Sequence, residues 1–223
     1  MKIATWNVER LHNKALLGKI IEECNRVNAD ILILTETDSR VKPDKTYAYE
    51  TPAPVGMCGI RDYYRSTENR VTIITDYKLT KYYLTYDKYT SICAGLETPH
   101  GELLVYGTIM GIWGNRRGSF KEDVAAQTAD FKAICESGRH ICICGDYNLS
   151  FSDNYYYTKY GRETVLSSFA DNSIRLLTAD RSECIDHIAV SEEFVADADI
   201  TVDEWNYDKR LSDHKGIYVD LRW

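Results

Sequence analysis

Apolar and polar positions along the chain repeat mostly with the period of a strand. Short apolar or alternating runs occur at Lys2–Val8, Asp30–Leu34, Arg70–Thr75, Lys81–Tyr86, Ser91–Glu97, Glu102–Met110, His140–Cys144, Cys184–Val190, Ile200–Glu204 and Gly216–Leu221. Two stretches carry helical spacing instead. In Asn13–Asn28, Leu16, Leu17, Ile20, Ile21, Cys24 and Val27 fall on one face, and in Phe120–Ser137, Val124, Phe131, Ile134 and Cys135 do so. Each helix lies between two strands, so strand-helix-strand occurs from Lys2 to Leu34 and again from Glu102 to Cys144. The second strand of each copy ends in an acidic polar signature, Thr35-Glu36-Thr37-Asp38 and Gly145-Asp146-Tyr147-Asn148. Strands buried on both faces read as continuous apolar residues, which makes Ile31–Leu34 and Ile141–Cys144 central. The pattern predicts an α/β chain with two packed sheets between helix layers.

No Pro/Gly/Ser-rich linker or short-period repeat interrupts the pattern, and only four prolines occur, so residues 1–223 are expected to form a single domain. Loops at Thr51–Asn69, Met110–Phe120 and Leu149–Tyr160 are its expected rim.

Charge narrows the partners. Twenty-seven basic against 34 acidic residues give a net charge of −7, which argues against broad electrostatic adhesion to nucleic acid or anionic membranes and leaves a polyanion to be met locally. Seven cysteines, odd in number and mostly within apolar runs, lack the spacing of a zinc site and read as buried thiols of a reducing compartment. The first apolar run is too short for a signal peptide, and none approaches the roughly 18 residues of a membrane span. The expected location is cytoplasmic, with no membrane partner and no obligate protein partner.

Five short polar clusters end or interrupt strands: Asn7 with Glu9, Glu36 with Asp38, Asp146 with Asn148, Asp186 with His187, and Asp213 with His214. Any one of them is ordinary turn chemistry. Five together suggest convergence, and carboxylates without cysteine ligands suit an oxygen-loving cation such as Mg²⁺ or Mn²⁺.

In chain order, Thr5-Trp6-Asn7-Val8, Leu32-Ile33-Leu34-Thr35-Glu36, Gly145-Asp146-Tyr147-Asn148, Cys184-Ile185-Asp186-His187 and Ser212-Asp213-His214 resemble the endonuclease/exonuclease/phosphatase superfamily, over residues 3 to 223. The resemblance implies a four-layer α/β sandwich, two packed mixed β-sheets flanked by helices. It also implies a divalent-metal-dependent phosphohydrolase, with a nuclease or phosphodiesterase the leading expectation and DNA or RNA candidate substrates. A phosphatase or phosphodiesterase acting on a small-molecule or lipid-type phosphoester, and an inactive phosphate-binding module, are the alternatives. By the same resemblance Glu36 is the principal metal carboxylate, with Asn7 beside it and Asp213 as a second metal-side ligand. Asp146 orients or deprotonates water, Asn148 holds water or a phosphoryl oxygen, His214 faces the phosphate, and Asp186 orients His214.

Two positions depart from the pattern. On Glu102–Met110, Thr108 stands where the family usually presents a histidine or tyrosine, with Tyr106 or a rim residue as the expected substitute. His187 replaces a common aromatic, and its side chain should point opposite to that of Asp186, into packing. On the rim, Arg116 and Arg117 are candidates to clamp phosphate. Arg61, Arg65 and Arg70 with Tyr63 and Tyr64, and Tyr155-Tyr156-Tyr157 with Lys159, Tyr160 and Arg162, interleave bases with aromatics, a pattern shared by nucleic-acid stacking and plain rim packing.

Overall fold

Alternation and helical spacing resolve into twelve strands and three α-helices in the computed structural model, which describes residues 1–55, 64–111 and 119–223. In chain order these are β1 (Lys2–Asn7), α1 (Leu17–Val27), β2 (Ile31–Asp38), β3 (Tyr47–Glu50), β4 (Glu68–Thr75), β5 (Leu79–Tyr83), β6 (Ser91–Thr98), β7 (Gly101–Ile109), α2 (Phe120–Cys135), β8 (His140–Asp146), α3 (Lys159–Asp171), β9 (Ile174–Leu176), β10 (Asp186–Ser191), β11 (Asp199–Trp205) and β12 (Gly216–Arg222). They form two six-stranded sheets, ordered β11-β12-β1-β2-β4-β3 and β5-β6-β7-β8-β10-β9.

Both strand-helix-strand units have the expected consequence. β1 runs parallel to β2 and β7 parallel to β8, one such pair inside each otherwise antiparallel sheet. The apolar runs of β2 and β8 occupy interior places. Their alternate residues face opposite ways. Ile31, Ile33, Cys142 and Cys144 meet in the core between the sheets, together with Ile3, Val71, Val105 and Ile188. Leu32 and Leu34 pack under Ile20, Cys24 and Val27 of α1. Ile141 and Ile143 pack under Val124 and Phe131 of α2 and Val165 and Phe169 of α3. The layers are therefore helix, sheet, sheet, helix. Each fully buried aliphatic side chain contributes about 1.5–3 kcal/mol, so the alternation fixes the strand faces firmly.

Three elements have no counterpart in the sequence reading. α3 buries little beyond Gly161, Val165 and Phe169, so its apolar stripe is too thin to register; Thr158 caps it by accepting from the Gly161 N–H at 3.0 Å. β3 and β9 are short, with four and three residues, and depend on β4 and β10 for their pairing. The run expected at Lys81–Tyr86 pairs instead as Leu79–Tyr83, where a bulge shifts its register on β6. Among the described residues the cysteines are free thiols, and no helix is long and apolar enough to cross a membrane.

The topology brings polar ends together. Asn7 ends β1, Asp146 ends β8 and Asp186 opens β10 opposite Asp146. His214 lies just ahead of β12, whose Ile217 pairs with Thr5. All four residues therefore stand at one rim of the sandwich, above the seam between the sheets.

Candidate active site

Each polar cluster is held by a local device that its sequence explains. In Gly145-Asp146-Tyr147-Asn148, Gly145 has φ +145°, and a Cβ there would lie 2.0 Å from the Thr108 carbonyl oxygen, so only glycine permits β7 and β8 to approach this closely. Tyr147 is buried and donates to the Ile143 carbonyl at 3.0 Å, pinning the turn from below. Asn148 adopts φ +50°, its N–H donates to Asp146 Oδ1 at 2.9 Å and its Nδ2 donates to the Met110 carbonyl at 2.8 Å. In Ser212-Asp213-His214 the serine is buried. Its hydroxyl donates to the Asn7 carbonyl at 2.6 Å and accepts from the His214 N–H at 3.2 Å, tying this loop to β1. Trp6 Nε1 and Asn206 Nδ2 both donate to the His214 carbonyl, at 3.2 and 2.7 Å.

These anchors aim four side chains at one point. Asn7 Nδ2 donates to Asp146 Oδ2 at 3.1 Å, bridging the two sheets. His214 Nδ1 stands 2.6 Å from Asp186 Oδ2, while its Nε2 faces outward, 3.8 Å from Asp213 Oδ1. Ligand atoms of Asp146, Asp186 and His214 lie within 4.8 Å of one another. Burial disfavours charge on His214, but the charge and hydrogen bond of Asp186, joined by Asp146 and Asp213, outweigh it and raise its pKa to about 10. Burial likewise lifts Asp146, to about 7; His214 opposes the rise and Asp186 adds to it. The group thus presents a protonated imidazole beside a carboxyl that exchanges its proton near neutrality.

Glu36 stands beside this group. It ends the apolar run of β2 in a left-handed conformation (φ +44°), and burial raises its pKa against the lowering influence of Arg70, Arg10 and His214. Asp213 is exposed at the mouth. Neither belongs to the tight group of donor atoms formed by Asp146, Asp186 and His214. The residues fit a hard divalent cation: the donors are carboxylate and amide oxygens, and Asp186 Oδ1 is buried with no hydrogen-bond partner. Asn7 Oδ1 accepts from the Glu9 N–H at 2.9 Å and keeps a second lone pair.

Two expected substrate contacts are corrected. Along β7, Val105 and Ile109 face the core between the sheets, which turns Tyr106 and Thr108 toward α2. Tyr106 is fully buried, packs edge-on against Phe131 and donates to Asp130 Oδ2 at 2.7 Å. Thr108 is equally buried and donates to Gln127 Oε1 at 2.6 Å. Neither side chain reaches the cleft. Arg116 and Arg117 lie outside the described residues, as do Arg61 and Tyr63. Two members of the polar clusters also serve elsewhere. Asp38 is buried in an ion pair with Arg40 at 2.7 Å. His187 points away from Asp186 as expected, bonded to Thr178 and to the Leu149 carbonyl, each at 2.9 Å.

Other neighbours of the site escaped sequence reasoning. Arg10 is buried at φ +55°, paired with Glu68 at 2.8 Å, and with Arg70 it sets the field at Glu36. Lys209 and Lys215 line the cleft of ≈ 280 Å³ that also contains Asn148, Asp186, Asp213 and His214. Their only sequence signal was position, a few residues either side of Ser212-Asp213-His214.

A sequence profile described as the Endonuclease/Exonuclease/phosphatase family matches residues 4–214. A search of curated protein sequences finds no match. Among solved structures, a 3′-5′ exonuclease (NExo) from Neisseria meningitidis superposes with a TM-score of 0.72 at 18% identity, covering 100% of both chains. A structure of the 3′ phosphatase NExo from Neisseria bound to product DNA hairpin gives a TM-score of 0.70 at 18% identity, again over 100% of both chains. An AP endonuclease from Archaeoglobus fulgidus gives 0.67 at 13% identity over 100% of both chains.

Proposed function

The chain belongs to the endonuclease/exonuclease/phosphatase family, whose enzymes are divalent-metal-dependent phosphoester hydrolases, and from that premise we propose that it is a nuclease using Mg²⁺ or Mn²⁺ to cleave DNA phosphoesters by in-line attack of water. The observation that carries this reading is the His214–Asp186 pair set against Asp146, with Asn7 joining the two sheets beneath them. DNA as substrate class draws on the printed activities of the structural neighbours, an exonuclease, a 3′ phosphatase bound to a DNA hairpin and an AP endonuclease.

In this reading Glu36 and Asn7, with Asp213 on the open side, hold the cation. When bound, the cation neutralises phosphoryl oxygens. Asp146, fixed by Asn7 and by the Asn148 N–H, accepts a proton from the attacking water. Asn148 positions that water or a phosphoryl oxygen. His214, protonated at neutral pH, directs its Nε2 at the phosphate and stabilises the charge that grows there, while Asp186 fixes the ring's orientation. With Tyr106 and Thr108 turned inward, the phosphate-facing role falls, among the described residues of these motifs, to His214.

The test is a substrate panel of abasic-site duplex, 3′-phosphorylated DNA, linear DNA, RNA and a small phosphodiester, each with Mg²⁺ or Mn²⁺ and then with chelator. Chelator-sensitive cleavage of DNA supports the reading. Turnover confined to the small ester rejects the nuclease assignment, and silence on every substrate favours a phosphate-binding module.

A further inference from the structure

The segment beside the cleft carries a run of exposed aromatic rings. Tyr155 and Tyr156 are each about half exposed, at 49% and 51%, and Tyr157 and Tyr160 continue the run at 45% and 36%. Among the described residues neither Tyr155 nor Tyr156 stacks on another aromatic ring. Both nevertheless line the cleft that contains His214 and Asp186. Clustered exposed rings next to a reactive centre call for a ligand, because apolar surface of this kind is otherwise costly to leave in water.

The segment that carries the rings is braced. Ser150 and Tyr156 exchange hydrogen bonds, with the Ser150 N–H donating to the Tyr156 carbonyl at 2.7 Å and the Tyr156 N–H donating to Ser150 Oγ at 2.9 Å. Asp153 accepts from the Tyr155 N–H at 3.0 Å and from the Glu183 N–H at 2.7 Å, joining this segment to the one that leads into β10. Arg162 from α3 donates to the Ser150 carbonyl at 2.9 Å and to the Asp153 carbonyl. Little ordering entropy is therefore left to be lost when a ligand docks on the rings.

Cations accompany the rings. Lys209 Nζ lies 2.8 Å from the Tyr155 hydroxyl and 4.8 Å from its ring centre, the Arg162 guanidinium stands 4.2 Å over Tyr157, and Lys121 stands 5.2 Å over Tyr160. In a chain of net charge −7 these are local positive charges on an acidic molecule. Flat rings interleaved with cations match a strand of unpaired nucleotides, whose bases offer π-faces to the rings and whose phosphates meet the cations. A paired duplex keeps its bases stacked on one another and offers the rings only sugar and phosphate.

We propose that Tyr155 and Tyr156 form a base-stacking platform for unpaired nucleotides of DNA next to the scissile phosphate, so that the enzyme prefers single-stranded or frayed ends to intact duplex. The inference rests on the nuclease reading and narrows its substrate. Stacking on such rings is worth on the order of tenfold or more in binding for each base engaged.

The test pairs one oligonucleotide, carrying 2-aminopurine next to its 3′ end, as a single strand and in a blunt duplex. With chelator present, binding of the single strand should quench the probe strongly. The double variant Tyr155→Ala/Tyr156→Ala should bind it about tenfold or more weakly, while Tyr155→Phe/Tyr156→Phe keeps both the affinity and the quench. With Mg²⁺ present, the ratio of kcat/KM for single strand over duplex should exceed ten and collapse in the alanine variant. Equal handling of both forms, or a ratio untouched by the alanine variant, overturns the platform and leaves the nuclease reading intact. Absence of chelator-sensitive cleavage on either DNA, with quenching retained, rejects the nuclease reading and leaves the platform as a binding site.

Discussion

His214 Nδ1 and Asp186 Oδ2 stand 2.6 Å apart although 28 residues separate them in the chain, and the imidazole is held charged by that contact. Asp186 opens β10 in the second sheet, while His214 precedes β12 in the first. The pair therefore exists only when the two sheets are packed, and it couples the site's protonation to the fold. Asp186→Asn keeps the shape of the side chain and removes the charge that raises the His214 pKa to about 10. A base whose pKa is raised stays protonated up to that raised value and loses its proton above it. The alkaline limb of the kcat/KM profile is expected near the raised value in the wild type and should move to lower pH in Asp186→Asn, as a pH–rate series will read.

Gly145 tests the floor of the site. A methyl at this position meets the Thr108 carbonyl at 2.0 Å in a φ of +145°, so Gly145→Ala must separate β7 from β8. The expected loss of stability is on the order of 3 kcal/mol or more, measured by urea unfolding.

The division of β7 into two faces makes a prediction about Tyr106. Removing its hydroxyl takes one of two donors from Oδ2 of the half-buried Asp130 and leaves the Tyr86 N–H at 2.7 Å, so Asp130, already lifted to about 6 by burial, should rise further. Tyr106→Phe is expected to cost about 1–2 kcal/mol of stability, with any activity loss following the unfolded fraction. A large fall in kcat with unchanged stability would show that the ring reaches the phosphate after all.

His187 should make the fold sensitive to acid. Burial drives its pKa down to about 4, against the ordinary 6.5, and outweighs the bonds to the Leu149 carbonyl and Thr178, which favour the charged ring. Between these values the unfolded chain takes up a proton that the folded chain refuses. The associated stability is complete above pH 6.5 and declines as pH falls toward 4, by an amount on the order of 3 kcal/mol. Asp130 acts in the opposite sense, since its raised pKa favours the folded state as pH falls from about 6 toward its ordinary value of 3.8. Comparing urea unfolding of the wild type and His187→Gln from pH 7 to 4 isolates the histidine. The gap between them should narrow toward acid as the wild type loses its advantage.

Much of this architecture was legible in the order of apolar residues. Ile31–Leu34 and Ile141–Cys144 announce strands buried on both faces, and the helices before them force parallel neighbours, which places Glu36 and Asp146 at strand ends. The convergence of Asn7, Asp146, Asp186 and His214 follows from that topology, and their motifs signal it. What sequence could not supply was the face on which a residue near a strand end points. Tyr106 and Thr108 lie on the polar-looking end of β7, yet Val105 and Ile109 claim the inner face and leave them to α2. Arg10 and Lys209 lie near the site through contacts made by distant segments, with no local periodicity to mark them. α3 escaped because its buried side is nearly confined to Val165 and Phe169.

The direct test of the account compares wild type with His214→Ala in single-turnover cleavage of DNA, with saturating Mg²⁺ and then with chelator, alongside circular dichroism to confirm that the variant folds. A phosphate-facing imidazolium predicts chelator-sensitive cleavage by the wild type and a loss of about 10²–10³ in the rate of the chemical step for the variant. A folded His214→Ala protein that cleaves at the wild-type rate would contradict the role assigned to His214 and, with it, the mechanism built on the Asp186 pair.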